Sequence, residues 1–122
     1  MCAISFFFDS KTMPKSTAAA AAPKAIRPLK GTRILSLALN LPGPAALMRC
    51  RQMGATCIKL EPPAPKGSAP GASGDPMGLY NRKAYDAMHR GMRVVSADLK
   101  TDKGQQALHK ELAKADVLLT SF

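Results

Sequence analysis

The chain has 122 residues, of which 46% are hydrophobic and 21% charged, a balance typical of one small globular domain or part of a larger one. This composition excludes a disordered protein, and no apolar run approaches the roughly 20 residues that a membrane-spanning helix needs. The formal net charge of +10 favours an anionic partner such as nucleic acid, an acidic surface or a phosphorylated cofactor, without choosing among them.

The three cysteines are Cys2, Cys50 and Cys57. Their number is odd and no pair has the CxxC spacing, so neither a disulfide framework nor a zinc site is predicted. Cys50 and Cys57 are predicted to pack as small apolar side chains, because free cysteines are among the most buried residue types. Reduced cysteines are typical of a cytoplasmic protein, which is the location we expect.

Residues 1–27 differ from the rest of the chain. They mix lysine, serine, proline and a run of alanines, with no periodic apolar face. Such a segment cannot bury enough surface to offset the entropy lost on ordering. We therefore expect a disordered tail over residues 1–27, followed by a folded region over residues 28–122.

The folded region begins with a predicted strand over residues 34–39, whose sequence ILSLAL is apolar on both faces. The prolines that follow end the strand, since proline cannot donate to a ladder, and Pro44 fits the first turn of a helix. That helix is predicted over residues 45–53, with Gly54 at its C-terminal cap. A second strand over residues 56–60 completes a βαβ unit with parallel pairing.

A proline-, glycine- and serine-rich loop is predicted over residues 61–77, long enough to be either functional or mobile. Residues 79–91 are predicted to form a helix or turn, and residues 94–97 a third strand. Asp102 is the predicted N-cap of the next helix, and a fourth strand follows over residues 117–120. This order of elements predicts an α/β fold with a Rossmann-like, open, mostly parallel sheet and flanking helices.

Ligands of open α/β sheets collect at the carboxyl ends of the strands, where helix N-termini also offer free N–H groups to phosphates. Three segments are predicted at such ends: LNLPG after the first strand, Asp98–Lys100 after the third and Ser121–Phe122 after the fourth. Four basic residues are expected to add charge nearby: Lys59, Arg90, Arg93 and Lys100. Together they favour a phosphorylated, nucleotide-like ligand.

Simpler roles exist for the same residues. Asp98 would serve equally well to cap a turn. Arg93 and Lys100 could equally be ordinary charged side chains on the solvent-exposed surface. Neither His89 nor His109 is predicted to bind a metal, because no second or third ligand accompanies it. No Ser/His/Asp or Cys/His arrangement emerges from the spacing, so no catalytic residue is assigned.

Six short segments, in order, resemble the N-terminal part of the family III CoA-transferases, a family that also includes α-methylacyl-CoA racemase. They are PLKGTRILSL at 28–37, LPGP at 41–44, MGATCIKLE at 53–61, GDP at 74–76, HRGMRVVSADLK at 89–100 and ADVLLTSF at 115–122.

The resemblance implies a CoA-binding domain in an enzyme whose two chains interlock as a homodimer. Such transferases move CoA from an acyl-CoA to a carboxylic acid acceptor through an aspartate nucleophile and an aspartyl-CoA intermediate, and no metal is implied. The resemblance makes ten residues candidate CoA contacts, with Arg93 giving electrostatic support only: Asn40, Leu41, Pro42, Arg93, Ala97, Asp98, Leu99, Lys100, Ser121 and Phe122.

The sequence departs from the family pattern at four positions. Ser36 stands where members often have Asp, and Leu39 stands where many have Arg or His. Pro62 replaces an Arg, and Ser121 replaces an Asn. The acyl substrate is therefore not carried over. In the family the nucleophile lies beyond the position of Phe122. We accordingly expect an N-terminal fragment that is inactive alone and exposes a strand edge.

Three other functions stay open. The first is an acyl-CoA racemase of the same family, whose catalytic residues also lie beyond Phe122. The second is a basic nucleic-acid-binding module, which is less expected because about half of the charge excess lies in residues 1–33 and only 5% of residues are aromatic. The third is a non-functional remnant that does not fold stably.

Overall fold

The structure of the protein is a computed structural model that describes residues 26–121. Phe122 and nearly all of the predicted tail, with Cys2, lie outside these residues. The described part contains four strands and four helices: β1 (Arg33–Ser36), α1 (Pro42–Gln52), β2 (Thr56–Glu61), α2 (Pro76–Tyr80), α3 (Arg82–His89), β3 (Arg93–Ser96), α4 (Asp102–Leu112) and β4 (Val117–Leu119).

The strands form one parallel sheet in the order β3-β2-β1-β4. The carboxyl ends of the four strands therefore lie at one edge, here called the carboxyl edge, and their first residues lie at the opposite amino edge. Because each crossover passes through at least one helix, the connections cover the faces of the sheet. The predicted α/β fold, with a parallel sheet and flanking helices, is confirmed.

Both faces of the two central strands, β1 and β2, are buried, whereas the lateral strands β3 and β4 are largely exposed. One face carries Ile34 and Cys57, which pack with Leu47 of α1, while the other carries Ile58 and Leu60, which pack against α4. As a result β2 is buried from Cys57 to Glu61, and neighbouring residues of the strand point to opposite layers. Because both faces of β1 and β2 are buried, the sequences of these two strands are nearly continuously apolar.

β1 is shorter than predicted and α1 begins earlier. Ser36 ends the strand, because its hydroxyl accepts the N–H of Ala38 (3.2 Å) and turns the chain away from β2. The helix starts at Pro42 instead of residue 45, since a proline fits the first helical position. A Cβ at Gly43 would lie 2.2 Å from that of Ala38, so only glycine allows this close approach.

The predicted N-cap of α4 is wrong by one residue. Thr101 is the cap, and its hydroxyl accepts the N–H of Gly104 (3.0 Å), while Asp102 lies in the first turn. Both residues can cap a helix. The extended backbone of Thr101 selects it, because a capping side chain reaches back to the N–H groups only from a non-helical residue.

The segment predicted as a helix or turn over residues 79–91 contains two short helices. Asp75 caps α2 through the N–H of Met77 (2.9 Å), and Asn81 caps α3 through that of Ala84 (3.1 Å). Most of the predicted loop over residues 61–77 is irregular in structure, in agreement with the prediction. None of the described helices is long and apolar enough to cross a membrane.

Candidate functional site

A cavity of about 250 Å³ opens at the carboxyl edge, beside the ends of β1, β2 and β3. Its wall is mainly apolar, and Asp98 and Lys100 are its only charged residues. A cavity of this kind suits a ligand that combines apolar parts with a few charged groups. The lining residues are Leu37, Leu39, Leu60, Pro62, Ala97, Asp98, Leu99 and Lys100.

The segment Ala97–Lys100 contributes half of that wall, as a tight turn between β3 and α4. Asp98 Oδ1 accepts the backbone N–H of Lys100 (3.0 Å), and the Asp98 carbonyl accepts the Thr101 hydroxyl (2.8 Å). A Cβ at Gly104 would lie 1.8 Å from the same carbonyl, so the turn packs directly on the first turn of α4. Asp98 thus has the turn-forming role, while its carboxylate and the Lys100 side chain stay exposed.

The segment Asn40–Pro42 follows β1 at the same edge. The backbone of Asn40 is left-handed (φ +67°), and its N–H donates to both carboxylate oxygens of Asp75, at 3.0 and 3.1 Å. The hydroxyl of Tyr80 donates to the Asn40 side-chain oxygen. Asn40 is therefore held from α2 and its N-cap, while the side chains of Leu41 and Pro42 are exposed.

Asp75 belongs to a buried group of charged residues, here called the Lys59 cluster and made of Lys59, Glu61, Asp75, Tyr85 and His89. The side chains of Lys59 and Asp75 are fully buried and form an ion pair. Lys59 Nζ also lies 3.2 Å from Glu61 Oε2. One ammonium thus offsets two carboxylates inside the domain, and hydrogen bonds must satisfy the remaining oxygens.

Tyr85 supplies one of those hydrogen bonds, and His89 bonds to Lys59 instead of to a carboxylate. The Tyr85 hydroxyl donates to Glu61 Oε2 (3.0 Å), and burial raises the pKa of Tyr85 to about 12. His89 Nδ1 lies 2.7 Å from the Tyr85 carbonyl, and its Nε2 lies 2.9 Å from Lys59 Nζ. A carbonyl can only accept and an ammonium can only donate, which assigns a neutral His89 protonated on Nδ1. Burial, assisted by the charge of Lys59, lowers the pKa of His89.

The Lys59 cluster is linked to the carboxyl edge from the interior, through the hydrogen bonds of Asp75 to Asn40. None of its residues lines the cavity. Lys59 was expected to add charge near a ligand; this is wrong, because its side chain has no exposed surface and is paired internally. The sequence does contain a signal for this arrangement. Lys59 and Glu61 are two residues apart in a strand buried on both faces, which places two charges on one interior face.

Ser121 follows β4 at the carboxyl edge and is exposed. The strand order leaves two strands between β3 and β4, so Lys100 and Ser121 extend from strands about 14 Å apart. Only an elongated ligand could touch both. Phe122, the last candidate contact, lies outside the described residues.

Arg93 is not brought together with the other candidates. It is the first residue of β3 and therefore lies at the amino edge, where its guanidinium forms an ion pair with Glu111 of α4. At the carboxyl edge the structure groups Ala97–Lys100 around the cavity, with Asn40–Pro42 and Ser121 extending from neighbouring strand ends. No group of three potential metal ligands occurs within residues 26–121.

The fold and the site define a parallel α/β domain with a largely apolar ligand cavity at its carboxyl edge. The sequence profile of CoA-transferase family III matches residues 29–122. The chain belongs to this family, as the six sequence segments indicated.

Characterised relatives agree with this assignment. The chain is 33% identical over 94 residues to cinnamoyl-CoA:phenyllactate CoA-transferase of Clostridium sporogenes, an alignment covering 75% of this chain and 23% of the relative. It is 36% identical over 101 residues to succinate–glutarate CoA-transferase of Agrobacterium fabrum, covering 78% and 25%. The chain thus spans about a quarter of the length of these enzymes.

A solved structure is also similar. A CAIB/BAIF family protein from Brucella suis superposes on the chain with a TM-score of 0.56 at 26% identity. The superposition covers 78% of this chain and 26% of that protein. The parallel sheet described above is therefore shared with a protein of the same family.

Proposed function

We propose that the chain supplies the CoA-binding part of a family III CoA-transferase, an enzyme that moves CoA from an acyl-CoA to a carboxylic acid acceptor. The observation that carries this proposal is the position of Ala97–Lys100, which line an apolar cavity at the carboxyl edge of the sheet. Ligands of open parallel sheets bind at this edge. The family of the chain supplies the identity of the ligand.

The geometry suits an elongated ligand such as CoA, which joins an adenine ring and a flexible pantetheine chain through phosphates. The leucine, proline and alanine side chains of the cavity would contact the apolar portions, and the exposed Lys100 ammonium would pair with a phosphate. Leu41 and Pro42 extend the surface at the end of β1, and Ser121 and Phe122 extend it beyond β4. Arg93 is not included, because it lies at the opposite edge.

In the proposed reaction an aspartate carboxylate attacks the acyl carbon of the thioester, which breaks the C–S bond and gives a mixed anhydride and CoA thiolate. The thiolate then attacks the aspartyl carbonyl, which releases the first acid as a carboxylate and leaves the aspartyl-CoA thioester. Asp75 is not assigned this role, since its carboxylate is fully buried and ion-paired. Asp98 is not assigned it either, because its Oδ1 is held by the N–H of Lys100. We place the nucleophile outside the segment aligned with the relatives, in an enzyme that works as an interlocked homodimer.

The acyl group is left unassigned. The relatives are named for different acids, with cinnamate and phenyllactate in one and succinate and glutarate in another. An apolar cavity of about 250 Å³ is compatible with the CoA part of any of their thioesters. The proposal therefore concerns CoA and not a particular acid.

Calorimetric titration of CoA into the chain tests this site. Lys100→Gln is expected to weaken CoA binding about tenfold, the equivalent of about 1.4 kcal/mol for one charge-assisted contact. Lys114→Gln is the matched control, because it removes the same charge from an exposed position after α4. Equal effects of the two substitutions would contradict the proposed site.

A second experiment tests whether the chain is instead a nucleic-acid-binding module. Binding of duplex DNA is measured at low and moderate salt in the same samples. Salt-sensitive DNA binding without CoA binding would favour a nucleic-acid-binding module, because phosphate contacts release counterions. CoA binding that depends on Lys100 would favour the transferase assignment.

A further inference from the structure

A second cavity, of about 480 Å³, lies at the amino edge of the sheet and contains four arginines. Among residues 26–121, no carboxylate and no aromatic side chain line it. We call it the arginine cleft. Its lining residues are Arg27, Arg33, Arg51, Gly54, Ala55, Thr56, Cys57, Ile58, Gly91 and Arg93.

The topology brings these arginines together from distant parts of the chain. Arg33 and Arg93 are the first residues of β1 and β3, which flank β2 on either side. Arg51 lies in the last turn of α1, and Arg27 precedes β1. Because all the strands are parallel, their starting residues share one edge and converge there with the end of α1.

Two glycines make room for the guanidinium groups. A Cβ at Gly91 would lie 2.7 Å from Arg51 Nη1 and 3.0 Å from its Cζ. A Cβ at Gly54 would lie 2.9 Å from the Cβ of Arg27 and 3.3 Å from its Nε. Arg51 and Arg27 therefore lie directly against the backbone of these glycines at the wall of the cleft.

The charge in the cleft is largely uncompensated. Arg93 is paired with Glu111, whereas Arg27, Arg33 and Arg51 have no ion-pair partner among residues 26–121. The nearby Asp116 carboxylate accepts the backbone N–H of Arg33 (2.9 Å).

Two of the guanidinium groups also have buried donors without acceptors. The Nε atoms of Arg33 and Arg51 are buried and make no hydrogen bond within the described chain. Buried donors are normally satisfied, so an exception of this kind points to an acceptor that the described chain does not supply.

We propose that the arginine cleft binds a diphosphate group. Guanidinium forks match phosphate oxygens bidentately, and three unpaired cations suit a multiply charged anion better than a single carboxylate. The volume lies within the range of small-molecule sites. A single-stranded nucleic acid is less suited, because no aromatic side chain is present in the cleft for a base to stack on.

This site is separate from the proposed CoA site. The two cavities lie at opposite edges of the sheet, and no residue lines both. The six residues of β2 alone separate the edges by about 17 Å. Because the two sites share no residue, Arg33→Gln/Arg51→Gln and Lys100→Gln distinguish a failure of this inference from a failure of the proposed function.

Calorimetric titration with inorganic pyrophosphate at low salt tests the proposal. The double variant Arg33→Gln/Arg51→Gln is expected to bind pyrophosphate at least tenfold more weakly than the unmodified chain. Arg82→Gln/Lys83→Gln is the matched control, because it removes two charges from exposed positions of α3, and binding should change less than twofold. Equal losses in both double variants, or no saturable binding by the unmodified chain, would overturn the proposal.

Two further measurements guard against a variant that fails to fold. Arg27 is exposed, so Arg27→Gln should weaken binding severalfold without disturbing the core. In the unmodified protein, pyrophosphate should shift the NMR signals of the Nε–H groups of Arg33 and Arg51. Unmoved signals at saturating pyrophosphate would overturn the proposal without any substitution.

Competing ligands define the source of the diphosphate. Tighter binding of pyrophosphate than of ADP would assign the free anion, and the reverse would assign a nucleotide; both support the cleft. Succinate that binds as tightly as pyrophosphate would overturn the choice of phosphate over carboxylate. Binding of DNA without binding of pyrophosphate would overturn the small-ligand site.

Discussion

Lys59 determines how the interior of this domain is charged. Its ammonium contacts Asp75, Glu61 and His89, which come from a helix cap, from its own strand and from the end of α3. Buried ion pairs rarely stabilise a protein strongly in themselves, but they are costly to break. The Lys59 cluster therefore constrains how β2, α2 and α3 pack more than it adds to the net free energy of folding.

His89 makes this arrangement sensitive to pH. Its folded-state pKa is lowered, so protonation favours the unfolded chain, and the stability it contributes is present above the unfolded pKa of about 6.5. As the pH falls below about 6.5, the free energy of unfolding should decrease. The slope contributed by one histidine is at most about 1.4 kcal/mol per pH unit.

Chemical denaturation between pH 7 and pH 5 measures this effect. His89→Gln should flatten the pH dependence, because the substituted side chain does not titrate. His109→Gln is the matched control, since it makes the same substitution at an exposed position of α4. A steep dependence that survives in His89→Gln would assign the acid sensitivity to other groups.

At the scale of elements, α4 and the turn before it form one unit. The Thr101 hydroxyl accepts the N–H of Gly104 and donates to the Asp98 carbonyl, so it joins the helix to the cavity wall. The absence of a side chain at Gly104 lets the turn pack against the helix. Stability of the helix start and geometry of the cavity are therefore linked.

Thr101→Ala should lower the free energy of unfolding by about 1 kcal/mol, since it removes an N-cap. Asp102→Ala, one residue later, should cost about 0.3 kcal/mol, because only a favourable charge in the first turn is lost. Thermal or urea denaturation distinguishes the two. An equal or larger loss in Asp102→Ala would show that the capping residue is Asp102, as the sequence pattern suggested.

At the scale of the whole molecule, the two ends of the sheet differ in chemistry. The carboxyl edge has an apolar cavity with one exposed lysine, and the amino edge has an arginine cleft. The two lateral strands of the described sheet, β3 and β4, both carry exposed apolar side chains, and Val94 of β3 is 37% exposed. β4 is an edge strand of the described sheet, and Val117 and Leu118 are 45% and 47% exposed.

An open strand with exposed apolar side chains can pair with another chain. We expect the protein to self-associate with increasing concentration, and Leu118→Lys to reduce this association. Leu79→Lys makes the same substitution at an exposed leucine on α2, which is not part of the sheet, and should have a smaller effect. Sedimentation velocity measures both. Equal effects of the two variants would exclude β4 as the site of association.

Most of the sheet could be predicted locally. Apolar runs placed the four strands within a few residues, and the pattern is clearest in β1 and β2, which are buried on both faces. The errors occurred where several residues competed for one role. β1 ends at Ser36, earlier than its apolar run suggested, and Thr101 took the cap expected of Asp102.

The candidate site was predictable only in part. Asp98 and Lys100 were found from their position after a strand, and the structure brings their segment to the cavity. Arg93 was included for electrostatic support only, because the resemblance matches it to a basic position just before the third strand, and the length of β3 separates it from Asp98 and Lys100. The Lys59 cluster was missed, because its pairs join residues up to 30 positions apart.

The sequence by itself determined the fold class, the family and the strand ends at which a ligand is expected. These depend on local patterns and on the right-handed connection of parallel strands, which short segments encode directly. The tertiary structure alone decided that Lys59 lies inside the domain and that four arginines meet at the amino edge. It also decided that β3 and β4 are the two outermost strands of the described sheet. The physical reason is that such contacts depend on how distant elements pack, and no local pattern specifies that packing.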